Sequence, residues 1–174
     1  MLNLRLVLPQ SSKCEGLWLG AWRNRLDSLV AIAWNSVKIK TLGFFIGFGN
    51  LEEANWRPRI DAVERCPNSW RSRSLSLSGK ALIINALAFS RVWYGASLVH
   101  MPSWVHRELN RLVFDFFWSG KRDLVARNVV IQSPDLGGFS VVSLQFKVYA
   151  LLSQWAKHLL VSPGLDFSAQ VLVA

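Results

Sequence analysis

The sequence predicts an α+β fold that is mostly α, in which a short N-terminal β-hairpin region is followed by a helical bundle. Three observations predict this fold. Apolar and polar residues alternate in part of the N-terminal region, as in strands with one buried face. After Asn50 the apolar residues recur every three or four positions, which is the spacing of amphipathic helices. Hydrophobic residues make up 51% of the 174 residues, enough to form a core in a chain of this length.

The strand candidates lie in the N-terminal region. Residues 16–20 and 30–34 are short apolar runs, and residues 37–43 alternate apolar with polar side chains before continuing into residues 44–47. Asn35-Ser36 is a pair of turn formers between two of these runs. We therefore predict a hairpin whose turn is Asn35-Ser36.

The first predicted helix starts at Asn50. The Asn50 side chain can cap the helix, and Glu52 and Glu53 in the first turn suit the positive end of the helix dipole. Pro67 interrupts the helical pattern, so we expect a kink or break near Arg65. The apolar stripe of this helix comprises Trp56, Ile60, Val63 and Trp70.

The central helix is predicted over residues 79–99, with Ser78 as its cap. Apolar residues nearly encircle this segment, which indicates burial on most sides. Its apolar positions are Leu82, Ala86, Phe89, Trp93 and Ala96, widened by Ile83, Leu87 and Tyr94.

The next helix is expected to be capped by Ser103 and to end near Trp118, with Gly120 in a left-handed terminating conformation. The spacing of its apolar residues predicts one inward face. That face comprises Val105, Leu109, Leu112, Val113 and Phe116.

The remaining segments are predicted to be a basic loop, a turn and a last helix. Residues 121–132 form the loop, which leads into an extended segment at residues 128–131, and residues 134–140 form a glycine-containing turn. Residues 144–160 have the pattern of an amphipathic helix. Its apolar side comprises Tyr149, Leu152, Trp155 and Leu159.

The chain is strongly basic. Twenty Lys and Arg residues against eleven Asp and Glu residues give a formal net charge of +9. This imbalance favours a polyanionic partner, either nucleic acid or an anionic membrane surface. Composition alone does not separate these partners from each other, or from a basic version of an ordinary fold.

Neither a metal site nor a membrane span is expected. Cys14 and Cys66 are far apart, and the three histidines belong to no array with metal-ligand spacing, so reduced thiols are the simplest interpretation. The longest stretch without a charged residue, 92–106, contains Pro102 and is shorter than the roughly 20 apolar residues that cross a bilayer. Residues 1–8 lack the features of a secretory signal. We expect an intracellular, soluble protein, or one bound to a larger assembly.

Several motifs match one family in order and spacing. Together they resemble the region downstream of the catalytic palm in reverse transcriptases of LINE-type (non-LTR) retrotransposons. The resemblance covers about residues 12–160, although residues 1–10 fit less well, as though the frame began upstream, and Pro67 interrupts an expected thumb helix. The matching motifs are I-K-T-L-G-F-F-I-G at 39–47, W-R-S-R-S-L-S-L-S-G-K at 70–80, V-W-Y at 92–94, D-F-F-W-S-G-K-R at 115–122 and G-G-F at 137–139.

The resemblance implies three parts of the chain and a set of binding residues. Residues 1–50 would be the palm end with a primer-grip-like β segment, residues 51–160 a helical thumb-like lobe, and residues 161–174 a tail. Leu42 and Gly43 would be the primer-grip positions, where glycine permits close approach of a primer strand. Cations near the helix start expected at Ser78, and in the loop after the next helix, would contact the nucleic-acid backbone. These cations are Arg71, Arg73, Lys80, Lys121, Arg122 and Arg127.

The resemblance also implies that the catalytic centre lies elsewhere. Two-metal nucleotidyl transfer needs clustered carboxylates, and no Asp-Asp pair occurs in the 174 residues. We therefore expect no catalytic residue, no metal ligand and no cofactor in this chain, since Mg²⁺ would belong to the missing palm. The expected partners are an RNA template/DNA primer duplex and the rest of a reverse transcriptase. The alternatives are a standalone basic nucleic-acid-binding helical module, an inert retroelement remnant, and a protein of the membrane surface.

Overall fold

Four short strands precede six α-helices in the part of the chain that the computed structural model describes, namely residues 14–20, 23 and 32–161 without the side chains at 158, 159 and 161. The predicted α+β, mostly α fold is confirmed. The chain divides into two units, Met1–Trp56 and Arg57–Ala174, with the boundary inside the first helix.

In the first unit the strands form two separate pairs. Strand β1 (Glu15–Leu17) pairs in parallel with β2 (Ala33–Asn35), and the Trp18 ring stacks on Trp34 with 4.1 Å between centroids. The predicted hairpin turn at Asn35-Ser36 is wrong. The Asn35 side-chain oxygen accepts hydrogen bonds from the backbone N–H groups of Val37 and Lys38 at 3.0 and 3.4 Å, and the chain does not fold back onto β2.

The hairpin is formed one strand later. Strands β3 (Lys38–Thr41) and β4 (Phe44–Gly47) are antiparallel, and the pair Thr41 and Phe44 closes a two-residue turn. The turn residues Leu42 and Gly43 have φ angles of +48° and +82°, the signs of a type I′ turn, whose twist matches that of paired strands. Glycine adopts this conformation freely, whereas a leucine there is strained. The Leu42 side chain is 76% exposed.

Helix α1 (Glu52–Asn68) starts as predicted, because the Asn50 side chain accepts a hydrogen bond from the Glu52 N–H at 3.0 Å. Trp56, Ile60 and Val63 are buried. The expected break near Arg65 is wrong. Only one residue of α1 follows Pro67. The backbone N–H that proline lacks is therefore missing in the last turn, where the helix ends in any case. Trp70 lies beyond this end and is half-buried.

Helix α2 (Leu77–Ile83) is capped by Ser76 and not by Ser78. The Ser76 backbone is extended and its hydroxyl accepts a hydrogen bond from the Gly79 N–H at 3.1 Å, three residues on, as a capping serine does. Ser78 is already inside the helix.

The central helix is interrupted by a π-helical turn. The turn, Ile84–Ala88, joins α2 to α3 (Ser90–Leu98), and the segment Leu77–Ala88 is bent by 44° relative to α3. An extra residue per turn shifts the positions that face the core, so one continuous stripe does not describe both halves. In the first half the predicted stripe is wrong, since Leu82 is 66% exposed. The buried residues of the whole segment include Ala81, Ile83, Ile84, Ala88, Phe89, Val92 and Ala96.

Helix α2 packs on α4 and helix α3 packs on α6. Among the described residues no single helix has the length and apolar composition to cross a bilayer; the bent pair Leu77–Ala88 and Ser90–Leu98 meets those two criteria only when taken together.

Helix α4 (Ser103–Phe117) confirms the predicted inward face, whose five residues are all buried. Ser103 is its first helical residue and not its cap, since Pro102 holds that position and makes no capping hydrogen bond. After the helix, the Gly120 N–H donates to the Asp115 carbonyl at 2.7 Å.

The segment expected to be extended forms a short helix, α5 (Arg127–Ile131). A strand needs a neighbour to satisfy its backbone, whereas this single turn bonds internally and buries Val130. The glycine-containing turn follows and is closely packed. A Cβ on Gly138 would lie 2.1 Å from the Gln132 carbonyl oxygen, so only glycine fits.

The last helix is α6 (Leu144–Val161). Leu144 and Val148 are buried, whereas Tyr149, Leu152 and Trp155 on the predicted apolar side are exposed. The Trp155 indole N–H donates to the Ser97 carbonyl of α3 at 2.8 Å. The predicted position of Leu159 lies outside the described side chains.

Candidate nucleic-acid interface

The second unit contains a basic cleft between the turns after α1, helix α2 and the end of α4. Its volume is about 310 Å³. We call it the basic cleft, and its lining residues are Trp70, Arg71, Arg73, Ser74, Leu75, Lys80, Phe116 and Ser119.

A series of backbone turns places the two arginines of the cleft. The N–H of Arg71 donates to the Asn68 carbonyl at 3.3 Å, and the N–H of Arg73 donates to the Trp70 carbonyl at 3.1 Å. The Arg73 guanidinium lies over the Trp70 ring, 4.4 Å from its centroid. This cation–π contact orients the guanidinium without neutralising its charge.

Lys80 extends from α2 to the end of α4. Its ammonium group donates to the Phe117 carbonyl at 3.1 Å and to the Ser119 hydroxyl. Cations are favourable at a helix C-terminus, where carbonyls lack helical partners. Burial, and then repulsion by Lys121 and Arg71, lowers the pKa of the Lys80 ammonium below its ordinary value. Lys121 does not line the cleft, but it follows the lining residue Ser119 by two positions in sequence.

Arg71 forms an ion pair with Asp115 of α4. Arg111, one turn earlier on the same helix, lines a neighbouring cavity together with Asp115. Three cations therefore line the cleft (Arg71, Arg73 and Lys80), and Asp115 is paired with one of them, Arg71. The arrangement is suited to binding a polyanion through its phosphates, because arginine forks and a fixed ammonium group are all hydrogen-bond donors.

The helix start expected at Ser78 lies two residues earlier, at Ser76. Gly79, whose N–H would be a free donor there, is bonded to the Ser76 hydroxyl, and α2 has only 7 residues. Lys80 is the fourth residue of α2, and it lines the same cleft as Arg71 and Arg73.

Three of the six predicted backbone cations do not line the basic cleft, namely Lys121, Arg122 and Arg127. Arg127 donates to Asp123 at 2.8 Å and lies 4.5 Å from the Phe114 ring centroid, where it lines a different cavity of about 210 Å³. Arg122 is exposed and does not line the basic cleft. The primer-grip-like positions Leu42 and Gly43 belong to the first unit, at the tip of its hairpin.

The sequence prediction missed Trp70, Asp115 and Ser119 as members of this region. An aromatic residue directly before an Arg-x-Arg pattern was a usable signal for Trp70. Asp115 had none, because it is 44 residues from Arg71 in sequence. Among the described residues no group of three or more His, Cys, Asp or Glu could hold a metal ion.

Comparison with known proteins relates the chain to a transposon protein by sequence similarity. No protein-family model matches the chain. It is 29% identical over 140 residues to the Transposon TX1 uncharacterized 149 kDa protein of Xenopus laevis. The aligned region covers 76% of this chain and 10% of that protein. The chain thus spans about a tenth of the length of this relative. Over most of its length the chain is similar to part of a transposon protein, and this similarity supports a transposon origin.

Proposed function

We propose that the chain binds the sugar–phosphate backbone of a template–primer duplex, as a thumb-like part of a LINE-type reverse transcriptase. The observation that supports this most is the basic cleft. It brings Arg71, Arg73 and Lys80 together against Ser119, about 40 residues away in sequence and two residues before Lys121, and none of the described carboxylates lines it.

The chemistry of the cleft favours phosphate over base recognition. Arginine and lysine are donors to phosphate oxygens, and such contacts position a protein on a duplex without selecting its sequence. Arg73 is supported by Trp70, and Lys80 by the end of α4, so both charges are positioned before a ligand arrives. Preorganised groups lose less conformational entropy on binding.

The transposon similarity supports the polymerase part of the proposal, since reverse transcription is the reaction by which LINE-type elements copy themselves. We assign catalysis, and the Mg²⁺ it requires, to a palm outside these 174 residues, which have no Asp-Asp pair. Leu42 and Gly43 remain the proposed primer-grip positions. The exposed leucine at the tip of a strained turn is available for contact.

Duplex binding tests the proposal. Fluorescence anisotropy with a labelled RNA–DNA duplex should give an affinity that falls with salt. The expected slope of log K against log salt is about −3, because each net cation of the cleft that neutralises a phosphate contributes about −0.9.

Matched variants show whether the cleft is responsible. Arg73→Ala and Lys80→Met should each reduce the slope by about 1. Lys147→Met is the control, because Lys147 is an exposed cation of α6 that does not line the cleft. Binding that is insensitive to salt, or equally weakened by Lys147→Met, would contradict the proposal.

A second candidate is an inert remnant that exposes a former domain interface. The exposed apolar residues of α6 favour it, since Phe146 is 73% exposed and Tyr149 and Trp155 are also exposed. This candidate predicts strong binding of a hydrophobic dye together with no salt-dependent affinity for the duplex. The same preparation therefore distinguishes the two functions.

A further inference from the structure

We infer that Asp115 is an internal competitor for the phosphate group that the basic cleft binds. Its carboxylate bonds the Arg71 guanidinium in the free protein and has to release it when a phosphate enters. This inference rests on the proposed phosphate-binding role of the cleft. Asp115 would then determine the affinity and the negative charge that a ligand needs in order to bind in the cleft.

The position of Arg71 supports the inference. Its side chain lines the basic cleft and also a neighbouring cavity of about 240 Å³, which contains Asp115 and Glu64. A guanidinium fork binds a carboxylate or a phosphate through the same N–H groups. Arg71 therefore lies between an internal carboxylate on one side and the space for an external anion on the other.

The exposure of the ion pair makes the exchange feasible. The side chains of Arg71 and Asp115 are 44% and 41% exposed. Exposed ion pairs are weak, because water solvates both charges when they separate. A phosphate held at the same time by Lys80 and Arg73 can therefore displace this carboxylate.

Arg111 provides an alternative partner for Asp115. It lies one turn earlier on α4, donates to Glu108 at 2.8 Å, and lines the same cavity as Asp115 and Glu64. When Arg71 turns to a phosphate, Asp115 thus still has a cation beside it. The charge of Asp115 is not left isolated, which lowers the free-energy cost of the exchange.

The test compares Asp115→Asn with Asp123→Asn. Both changes remove one negative charge and release an arginine from an exposed ion pair, but Asp123 is paired with Arg127 outside the basic cleft. Inorganic phosphate is titrated into each protein, and its Kd is taken from the amide chemical shifts of Ser74 and Ser119. Asp115→Asn should tighten phosphate binding about fivefold, and Asp123→Asn less than about twofold.

Equal tightening by the two variants would overturn the inference, because net charge alone would then explain it. A second pair of variants tests the opposite direction. Arg111→Gln removes the alternative partner of Asp115, so it should weaken phosphate binding more than Arg107→Gln, an exposed change of equal charge on the same helix. If Asp115→Asn does not fold, this second pair of variants still tests whether Asp115 competes with phosphate.

The duplex measurement separates this inference from the proposed function. Salt-dependent duplex binding by the wild type, with equal phosphate affinities for Asp115→Asn and Asp123→Asn, refutes only the competitor role. Absence of duplex binding, with selective phosphate tightening by Asp115→Asn, refutes only the template–primer role.

Discussion

At the scale of single residues, the charges of the basic cleft differ in how firmly they are held. The Lys80 ammonium is bonded to the Phe117 carbonyl and the Ser119 hydroxyl, and Arg73 lies on the Trp70 ring. Arg71 is paired with a carboxylate that can exchange for a ligand. The cleft thus combines fixed charges, which position a phosphate, with one charge whose availability depends on its partner.

His106 gives a prediction for the pH dependence of stability. Burial lowers the pKa of its imidazole below the ordinary value. The unfolded chain therefore binds a proton at about pH 6.5, whereas the folded chain resists protonation until a lower pH. The free energy of unfolding should fall as the pH decreases through this window. Above about pH 6.5 the imidazole is neutral in both states, so His106 contributes no pH dependence there.

Urea unfolding measured from about pH 8 down to about pH 5 checks this expectation. His106→Gln should make the decline shallower than in the wild type. An identical decline in both proteins would show that His106 does not contribute. NMR titration of the His106 ring protons gives the pKa directly.

The residues of the candidate site were only partly predictable. The segments around Arg71, Lys80 and Lys121 were recognisable from sequence, because each is a local cluster of cations beside aromatic or small residues. Their convergence, and the pairing of Arg71 with Asp115, depends on how α4 packs on α2. No spacing along the chain encodes that contact.

At the scale of elements, the start of α2 is capped by a serine, as the sequence predicts, but by a serine two residues earlier than expected. Ser76 and Ser78 are both serines before an apolar run, and either could act as a cap. The structure selects Ser76, because its hydroxyl reaches the Gly79 N–H while its own backbone is extended. Which serine caps α2 depends on where the turns after α1 position the backbone at the start of the helix.

Ser76→Ala should destabilise the protein by about 1 kcal/mol, since the first turn of α2 loses its capping hydrogen bond. Ser78→Ala is the matched control and should change stability by less than about 0.5 kcal/mol, because Ser78 is an exposed helical residue. Chemical denaturation of both variants measures the difference. A larger loss of stability for Ser78→Ala than for Ser76→Ala would indicate that Ser78 caps α2.

Predictability also differed among the helices. The inward face of α4 was predicted correctly because one uninterrupted period covers the whole element. The central helix failed in its first half, because the π turn at Ile84–Ala88 changes the period within one segment. The strand expected at residues 128–131 failed because β-branched residues indicate burial there and not pairing.

At the scale of the whole molecule, stability should be unevenly distributed. Helix α4 has seven buried residues, whereas β1 and β2 have three residues each and no fully buried side chain. Regions with few buried contacts open at lower free energy. We expect the amides of α4 to exchange with solvent far more slowly than those of β1 and β2.

Native-state hydrogen exchange followed by NMR or mass spectrometry checks this order. Titration with the RNA–DNA duplex provides a second comparison, in which protection should increase at residues 70–80 and 115–121. Equal protection of β1 and α4 in the free protein would mean that the strands are stabilised by more than their own pairing.

The π turn has a consequence for how such a sequence can change during evolution. It adjusts the rotational phase between α2, which contacts α4, and α3, which contacts α6. Restoring a regular helix by deleting one residue there would rotate one half by about 100° relative to the other. One of the two packing faces would then point to solvent. Point substitutions on the exposed side are tolerable in this segment, whereas a single-codon deletion is not, so its length should vary less than its composition.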